Sequence, residues 1–255
     1  ATLAGQPVSA LGGMTQKAFS SFEDERIPLR GIRRKIAEKM QMAKRVIPHF
    51  SLLDEANVTE LVKFRAQLKD QLKDKDVKVT FLPFVMKAVI ATSREFPMFN
   101  ASIDDDAGEI VYHKNFNVGF AADTPNGLVV PVIKNADQKT ILEISKEIVV
   151  LATKAREGKL SVEDMQGATI SITNIGSIGG NYATPIINHP EVAIIGMYKI
   201  KRTPVFVGEE IHAADIMNVS CTADHRLIDG AVAARFLTAM VKRLENPSLL
   251  MMDMM

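Results

Sequence analysis

The stretch VSCTADHRLIDGAVAARFL, residues 219–237, places a His–Arg pair and an Asp–Gly pair in an otherwise apolar sequence of small residues. The alternate positions Met217, Val219, Cys221 and Ala223 are apolar or small, which predicts a β-strand with one buried face. A helix, AVAARFLTAMVKRLEN, is predicted directly after this strand. The polar residues therefore lie where the chain turns from a strand into its last long helix.

Two residues of this turn are candidates for chemistry. His225 follows the strand directly, and an imidazole in such a turn suits a general base because it titrates near neutral pH. Asp229 lies at the expected N-cap of the helix. The residues alone leave two readings open, namely a catalytic turn, or a hydrogen-bonded turn histidine with a helix-capping aspartate. Cys221 faces the predicted core, where a thiol is inert.

Composition excludes several classes of function. The 255 residues carry 31 basic and 30 acidic side chains, so no strong field favours nucleic acid or an anionic membrane as a partner. With Cys221 as the single cysteine, no internal disulfide can form, and a cytoplasmic location (or the mitochondrial matrix in a eukaryote) is expected. The five histidines lack metal-ligand spacing, so no metal site is expected. Residues 168–190 carry no charge but are interrupted by Gly and Pro, unlike a membrane span.

The order of elements predicts the fold class. Residues 1–25 are rich in Ala, Gly and Ser and are expected to be a flexible linker remnant, followed by one catalytic domain at 26–255. Strands and helices then mix without regular βαβ alternation, which favours an α+β sandwich. The segment FLPFVMKAVIATSREF predicts a buried helix, and Pro125-Asn126-Gly127 predicts a hairpin turn. The acidic segment SIDDDAGEI is better explained as a hairpin turn than as a calcium loop.

Two further segments carry local predictions. Asn57 is expected to cap a helix whose apolar stripe contains Leu61 and Leu72, with Glu60 as its capping-box partner. Arg65 lies beside that stripe, half-buried, where a guanidinium can reach an anion. The terminal PSLLMMDMM is too apolar to lie in water, so it either folds back on its own core or forms an oligomer contact, and the contact is favoured.

The stretch DHRLIDG resembles the His-x-x-x-Asp-Gly signature of the dihydrolipoamide acyltransferases, the catalytic cores of 2-oxoacid dehydrogenase complexes. Further stretches match that family in the expected order, from about Ile27 to the C-terminus: PLRGIRRKIAEKM, IPHFSLLDEANVTELVKFR, FLPFVMKAV, NVGFAADTPNGLVVPVI, TNIGSIGG and NHPEVAIIG. The resemblance implies the chloramphenicol acetyltransferase-like fold, an α+β sandwich of mixed β-sheet and helices that forms trimers.

The resemblance also implies a reaction, the transfer of an acyl group between dihydrolipoamide and coenzyme A. His225 would be its general base, Asp229 would hold the local structure through an ion pair, and the Thr173 hydroxyl would stabilise the oxyanion. Many relatives have Ser in place of Thr173. The coenzyme A contacts implied by the resemblance are Arg65, Thr80, Asp123 and Asn174. Thr80 departs from the Ser of close relatives, and Asp123 is equally well explained as a turn residue.

The same resemblance implies partners. His225 would face Thr173 across a subunit boundary, and trimers would assemble into closed particles of roughly 24 chains or more, using the C-terminal tail as a contact. The lipoyl domain of the family, and its domain that binds the decarboxylase and dihydrolipoamide dehydrogenase, match no stretch of this sequence. The expectation is therefore either a trimmed core or lipoyl domains supplied from elsewhere. The acyl group favoured is of the branched-chain type. The alternatives are the acetyl group of a pyruvate dehydrogenase-type complex and a catalytically inert scaffold core.

Overall fold

The computed structural model describes residues 24–73, 77–125, 127–176 and 178–253. Its helices are α1 (Gly31–Val46), α2 (Thr59–Gln71), α3 (Leu82–Glu95), α4 (Ile141–Arg156), α5 (Gly230–Glu245) and α6 (Pro247–Met252). Its strands are β1 (His49–Asn57), β2 (Ala101–Asp104), β3 (Glu109–Tyr112), β4 (Val118–Phe120), β5 (Val132–Ile133), β6 (Ile170–Asn174), β7 (Ala193–Val207) and β8 (Glu210–Asp224). The linker predicted at 1–25 lies outside the described residues, except for its last two residues. The central Asn126 of the predicted turn and the last two residues of the tail also lie outside them.

The main sheet is mixed, which confirms the predicted α+β class. Its strand order is β1-β8-β7-β6-β4-β5, and a separate two-stranded sheet pairs β2 with β3. β6 runs parallel to both of its neighbours, β4 and β7, whereas the other pairs in the main sheet are antiparallel. Parallel neighbours need long crossovers. The connection between β6 and β7, residues 175–192, therefore runs from one end of the sheet to the other.

One face of the main sheet is apolar and packs on the helices. Cys221 of β8, Phe84 of α3 and Phe236 of α5 belong to one buried cluster, and the rings of Phe99 and Phe236 stack at 3.7 Å. Burial raises the pKa of the Cys221 thiol to about 12, so the prediction of an inert core cysteine is confirmed. Helix α3 is buried on nearly every side from Leu82 to Ser93, also as predicted.

The opposite face of the sheet is polar and is covered by the connection between β6 and β7. Tyr198 donates its hydroxyl hydrogen to the carbonyl of Ala183 at 2.7 Å, and Asn218 donates to the carbonyl of Asn181 at 2.9 Å. The backbone amide of Ile187 donates to Nε2 of a half-buried histidine of β1 at 3.0 Å. Because side chains alternate along a strand, these polar groups lie opposite the apolar core face.

That histidine is His49, and its protonation state is fixed by its partners. Its Nδ1 lies 2.8 Å from the carbonyl oxygen of Ile47, which can only accept, so Nδ1 carries the hydrogen and Nε2 accepts from Ile187. Burial lowers the pKa of His49. His49 is therefore a neutral structural residue that holds the connection against the sheet.

The helix cap predicted at Asn57 is wrong. Asn57 is the last residue of β1, where it pairs with Ile216, and helix α2 begins at Thr59 with Val58 as its N-cap. The Asn57 side chain instead accepts hydrogen bonds from the backbone and hydroxyl of Thr59, at 3.3 and 2.6 Å. Because Asn57 still pairs with β8, the helix starts later along the chain than predicted. The apolar stripe is confirmed, with Leu61 and Leu72 buried.

The described part of the C-terminal tail folds back on its own chain, which is the less favoured of the two predicted arrangements. Leu250 of α6 is fully buried, and the carboxylate of Asp253 accepts from Arg243 Nε at 2.8 Å. Met251 and Met252 remain 39% and 65% exposed, so part of the apolar surface is still uncovered. None of the described helices is long and apolar enough to span a membrane.

Both predicted hairpins are present. The acidic segment forms the turn between β2 and β3, and an antiparallel bridge between Ala122 and Val129 closes the loop around Pro125 and Gly127. In the ranges that the structure describes, no group of three or more His, Cys, Asp or Glu side chains is arranged to hold a metal ion.

Candidate active site

His225 occupies the turn directly after β8. Its backbone amide donates to the carbonyl of Pro48 at 3.1 Å, and its ring lies 4.5 Å from the ring of Phe50. Both contacts come from the segment around β1, which is held beside β8 by the pairing of His49 with Asp224. The imidazole is exposed in the single chain. A rigid turn thus presents a ring that is accessible to a substrate.

Asp229 is the N-cap residue of α5, as predicted from the sequence, and its carbonyl accepts from the amide of Ala233 at 2.9 Å. Its carboxylate makes no capping hydrogen bond, and within the described ranges it has no ion pair or other side-chain hydrogen bond. The ion pair implied for Asp229 is therefore not formed within the described part of one chain.

The ion pair at this turn joins Asp224 and Arg226 instead. Asp224 is 1% exposed and accepts from Arg226 Nε at 3.0 and 3.1 Å and from its Nη2 at 2.7 Å. These hydrogen bonds raise the pKa of Arg226. Neither residue was predicted from the sequence to have a role, although their opposite charges on both sides of His225 were the available indication.

Four residues proposed as coenzyme A contacts line one cavity of about 830 Å³. Arg65 comes from α2, Thr80 from the segment before α3, Asp123 from the loop after β4, and Asn174 from the end of β6. They are far apart in sequence, so only the fold brings them together. Asp123 is exposed and makes no ion pair or hydrogen bond with the other described residues.

Arg65 is held at the cavity by two contacts. Its Nε donates to the carbonyl of Val79 at 3.0 Å, and its guanidinium lies 4.8 Å from the centre of the Phe81 ring. One guanidinium nitrogen is thus used inside the protein, and the remaining N–H groups are available to a ligand. Arg156 and Lys199 also line this cavity and were missed, because each looks like an ordinary exposed cation within its own helix or strand.

Thr173 lies next to Asn174 in β6 and is half-buried. Its hydroxyl makes no hydrogen bond with the other described residues, so it is available to a substrate. In the sheet register Thr173 pairs with Gly196 of β7, and Gly196 pairs with Ser220 of β8. The His225 turn thus lies two strand spacings across the sheet from Thr173 and four residues farther along β8, from Ser220 to Asp224. These two displacements together separate Thr173 from the turn by about 16 Å. One chain therefore does not bring Thr173 and His225 together.

The model of the family described as "2-oxoacid dehydrogenases acyltransferase (catalytic domain)" matches residues 21–252. The chain belongs to this family. This agrees with the resemblance of the DHRLIDG turn, and the matched region contains the turn, the cavity and Thr173.

A curated relative is the dihydrolipoyllysine-residue acetyltransferase component of the pyruvate dehydrogenase complex of Bacillus subtilis strain 168. It is 47% identical over 232 residues, which are 91% of this chain and 52% of the relative. The chain thus spans about half the length of the curated relatives it matches. Relatives from Staphylococcus epidermidis and Staphylococcus aureus carry the same name. These names support the pyruvate-type alternative better than the branched-chain type.

Two solved structures share the fold. The Azotobacter vinelandii dihydrolipoamide acetyltransferase has a TM-score of 0.87 at 37% identity, covering 90% of this chain and 94% of its own. It was studied for the roles of a serine, a histidine and an asparagine in its catalytic mechanism. The cubic core of a pyruvate dehydrogenase multienzyme complex also has a TM-score of 0.87, at 36% identity over 96% of this chain.

Proposed function

We propose that this domain transfers an acetyl group between a dihydrolipoyl thiol and coenzyme A, as the catalytic core of a pyruvate dehydrogenase-type complex. The observation that carries the proposal is the cavity beside Thr173, where Arg65, Thr80, Asp123 and Asn174 meet from four separate segments. The acetyl group is favoured by the names of the relatives from three bacterial species.

The cavity has the charge and size to bind coenzyme A. Three cations, Arg65, Arg156 and Lys199, and one carboxylate, Asp123, line it beside neutral polar groups and apolar side chains. Phosphate groups bind guanidinium and ammonium groups through charge-assisted hydrogen bonds. Arg65 is already oriented by Val79 and Phe81, so binding costs it little rotamer freedom. The phosphates would lie among these cations, and the thiol end would approach Thr173.

The chemistry assigned to the protein is the movement of one proton and one hydrogen bond. Coenzyme A supplies the thiol that attacks the acyl thioester carbon. A free thiol has a pKa of about 8.5, so His225 would accept its proton as the thiol attacks, a role worth roughly 10²–10⁴ in rate. The bond from the acyl carbon to the dihydrolipoyl sulfur then breaks, and His225 would return the proton to that sulfur, so that the dihydrolipoyl group leaves as a thiol. The Thr173 hydroxyl would donate to the carbonyl oxygen while that oxygen gains negative charge.

Two copies of the chain are needed to complete this site. A base and an oxyanion donor must each lie within about 3 Å of the same reacting group, and one chain separates Thr173 from His225 by about 16 Å. We therefore assign His225 to one subunit and Thr173 to its neighbour in a trimer. In the Azotobacter vinelandii enzyme the studied serine precedes the histidine by 52 positions and the asparagine follows it by four. The same intervals separate Thr173, His225 and Asp229, which supports their assignment.

We further propose that trimers assemble into a cubic particle, by analogy with the cubic core that shares this fold. The decarboxylase and dihydrolipoamide dehydrogenase would bind through domains outside this chain, and a lipoyl domain would deliver the acyl group. A cytoplasmic location, or the mitochondrial matrix in a eukaryote, fits a protein whose single cysteine is buried.

The reverse reaction tests the proposal directly. Free dihydrolipoamide is incubated with acetyl-, isobutyryl- and isovaleryl-coenzyme A, and thioester formation is measured for the parent, His225→Ala and His212→Ala. His212 is exposed on the distal part of β8 and serves as the matched control. We expect acetyl transfer to be fastest and to fall by at least ~10² in His225→Ala alone. Faster isobutyryl transfer would restore the branched-chain assignment, and an inactive parent assembly would favour the inert scaffold.

A further inference from the structure

Asp105 reaches the His225 turn from a different sheet. Arg226 uses Nε and Nη2 on the buried Asp224, and its Nη1 donates to Asp105 Oδ1 at 2.5 Å. Asp105 belongs to the turn between β2 and β3, which is otherwise remote from β8 in sequence. Its second oxygen lies 3.9 Å from Nε2 of His189, at the end of the connection that covers the polar face. The Asp105 carboxylate thus binds the His225 turn through Arg226 and lies near His189 of the connection.

Asp105 is not needed to form its own turn. The Oδ1 atom of Asp104 accepts the backbone amides of Asp106 and Ala107 at 3.1 and 3.0 Å, and the Asp104 carbonyl accepts from Gly108 at 2.8 Å. The positive φ of 69° at Gly108 completes the turn. The hydrogen bonds of the turn therefore come from its neighbours, and the Asp105 carboxylate is left to bind Arg226.

Arg226 transmits this contact to His225. The guanidinium is planar and its donors have a fixed geometry, so Asp224 and Asp105 together fix its orientation. Asp224 also accepts from the backbone amide of Arg226 at 3.0 Å, which joins the side-chain pair to the backbone on both sides of His225. Without Asp105 the guanidinium keeps one partner but loses the second point that fixes its direction.

We infer that Asp105 is a positioning residue for His225, acting through Arg226, and this inference rests on the proposed function. Misplacement of a catalytic base lowers the rate of the chemical step while substrate binding elsewhere is kept. The β2–β3 turn contributes no residue to the coenzyme A cavity, so the KM for coenzyme A should not change. Asp105→Asn should lower kcat on the order of fivefold, and Asp105→Glu should recover part of that loss.

The test compares Asp105→Asn with Asp106→Asn. Both substitutions remove one carboxylate from the same turn. The backbone amide of Asp106 donates to Asp104, but the Asp106 carboxylate has no ion pair or hydrogen bond among the described residues. Steady-state kcat and KM are measured in both directions of acyl transfer. A lower kcat at constant KM in Asp105→Asn alone supports the inference. Equal kcat values in the two variants, or a rise in KM that Asp105→Glu does not reverse, would overturn it.

A second measurement needs no turnover, so it separates this inference from the proposed function. Diethyl pyrocarbonate modifies imidazoles, and peptide mass spectrometry gives the rate at each histidine, with the exposed His212 as internal reference. We expect the rate at His225 to change at least about twofold in Asp105→Asn and to stay constant in Asp106→Asn. An unchanged rate contradicts positioning by Asp105 even if the parent proves inactive. An inactive parent with a changed rate contradicts only the proposed reaction.

Discussion

Gly196 lies opposite Thr173 in the sheet, and the space that a side chain would need at Gly196 is occupied by the hydroxyl groups of Tyr198 and Ser220. The two hydroxyls are 2.7 Å apart, and Tyr198 also holds the connection that covers the polar face. The absence of a side chain at Gly196 therefore lets this hydrogen-bonded pair pack beside the proposed oxyanion donor.

Gly196→Ala is expected to destabilise the fold by roughly 1–3 kcal/mol, because a new methyl group must displace two hydrogen-bonded hydroxyls. Urea unfolding followed by circular dichroism measures the change. Gly230→Ala is the matched control, since a Cβ at Gly230 meets no atom within 4 Å. Equal stability of the two variants would contradict the packing argument.

Thr173→Val replaces the hydroxyl by a methyl group of similar shape. If Thr173 donates to the developing oxyanion, kcat should fall by about 10²–10³, whereas Thr173→Ser should retain most of the activity. Acetyl transfer to coenzyme A at saturating substrate gives the comparison. Retention of activity in Thr173→Val would remove Thr173 from the mechanism.

Arg156→Gln removes one of the cations that line the cavity, and Arg156 lies outside the His225 turn. We expect the KM for coenzyme A to rise by about tenfold with little change in kcat, because a charge-assisted hydrogen bond to phosphate is lost. Lys63→Gln is the control, since Lys63 pairs with Glu60 on the exposed face of α2. A KM shift as large in Lys63→Gln would indicate a general charge effect and no local contact.

Glu191 gives a prediction about pH. The residue is fully buried, and burial raises the pKa of its carboxyl from 4.5 to about 7. Between these values the folded state holds a proton that the unfolded state has lost, so the contribution of Glu191 to stability falls as pH rises. Its Oε2 atom also has no hydrogen-bond partner among the described residues.

Glu191→Gln keeps the side chain neutral at every pH. Relative to this variant, the parent should therefore lose about 3 kcal/mol of unfolding free energy between pH 4.5 and pH 8. Urea denaturation at several pH values provides the measurement, with Glu210→Gln on the exposed β7–β8 hairpin as the control. A constant difference between parent and Glu191→Gln across this range would show that the carboxyl titrates normally.

The sequence by itself determined the elements whose patterns are local. Period-two alternation from Met217 to Ala223 identified the last strand and placed Cys221 in the core, because that pattern depends only on which face is buried. Helix α3 was predicted to be buried because its residues are apolar on nearly every side, which is also a local pattern. The signature at His225 and the ordered family motifs also identified the acyltransferase family before any distance was known.

The tertiary structure decided what depends on contacts between distant segments. Strand pairing with β8 kept Asn57 in β1 and moved the helix cap, and packing of Leu250 turned the tail back on its own core. The cavity that gathers Arg65 and Asn174, and the link from Asp105 to Arg226, join residues far apart in the chain. No sequence pattern encodes such distances, because they follow from strand order and from the way the sheets pack.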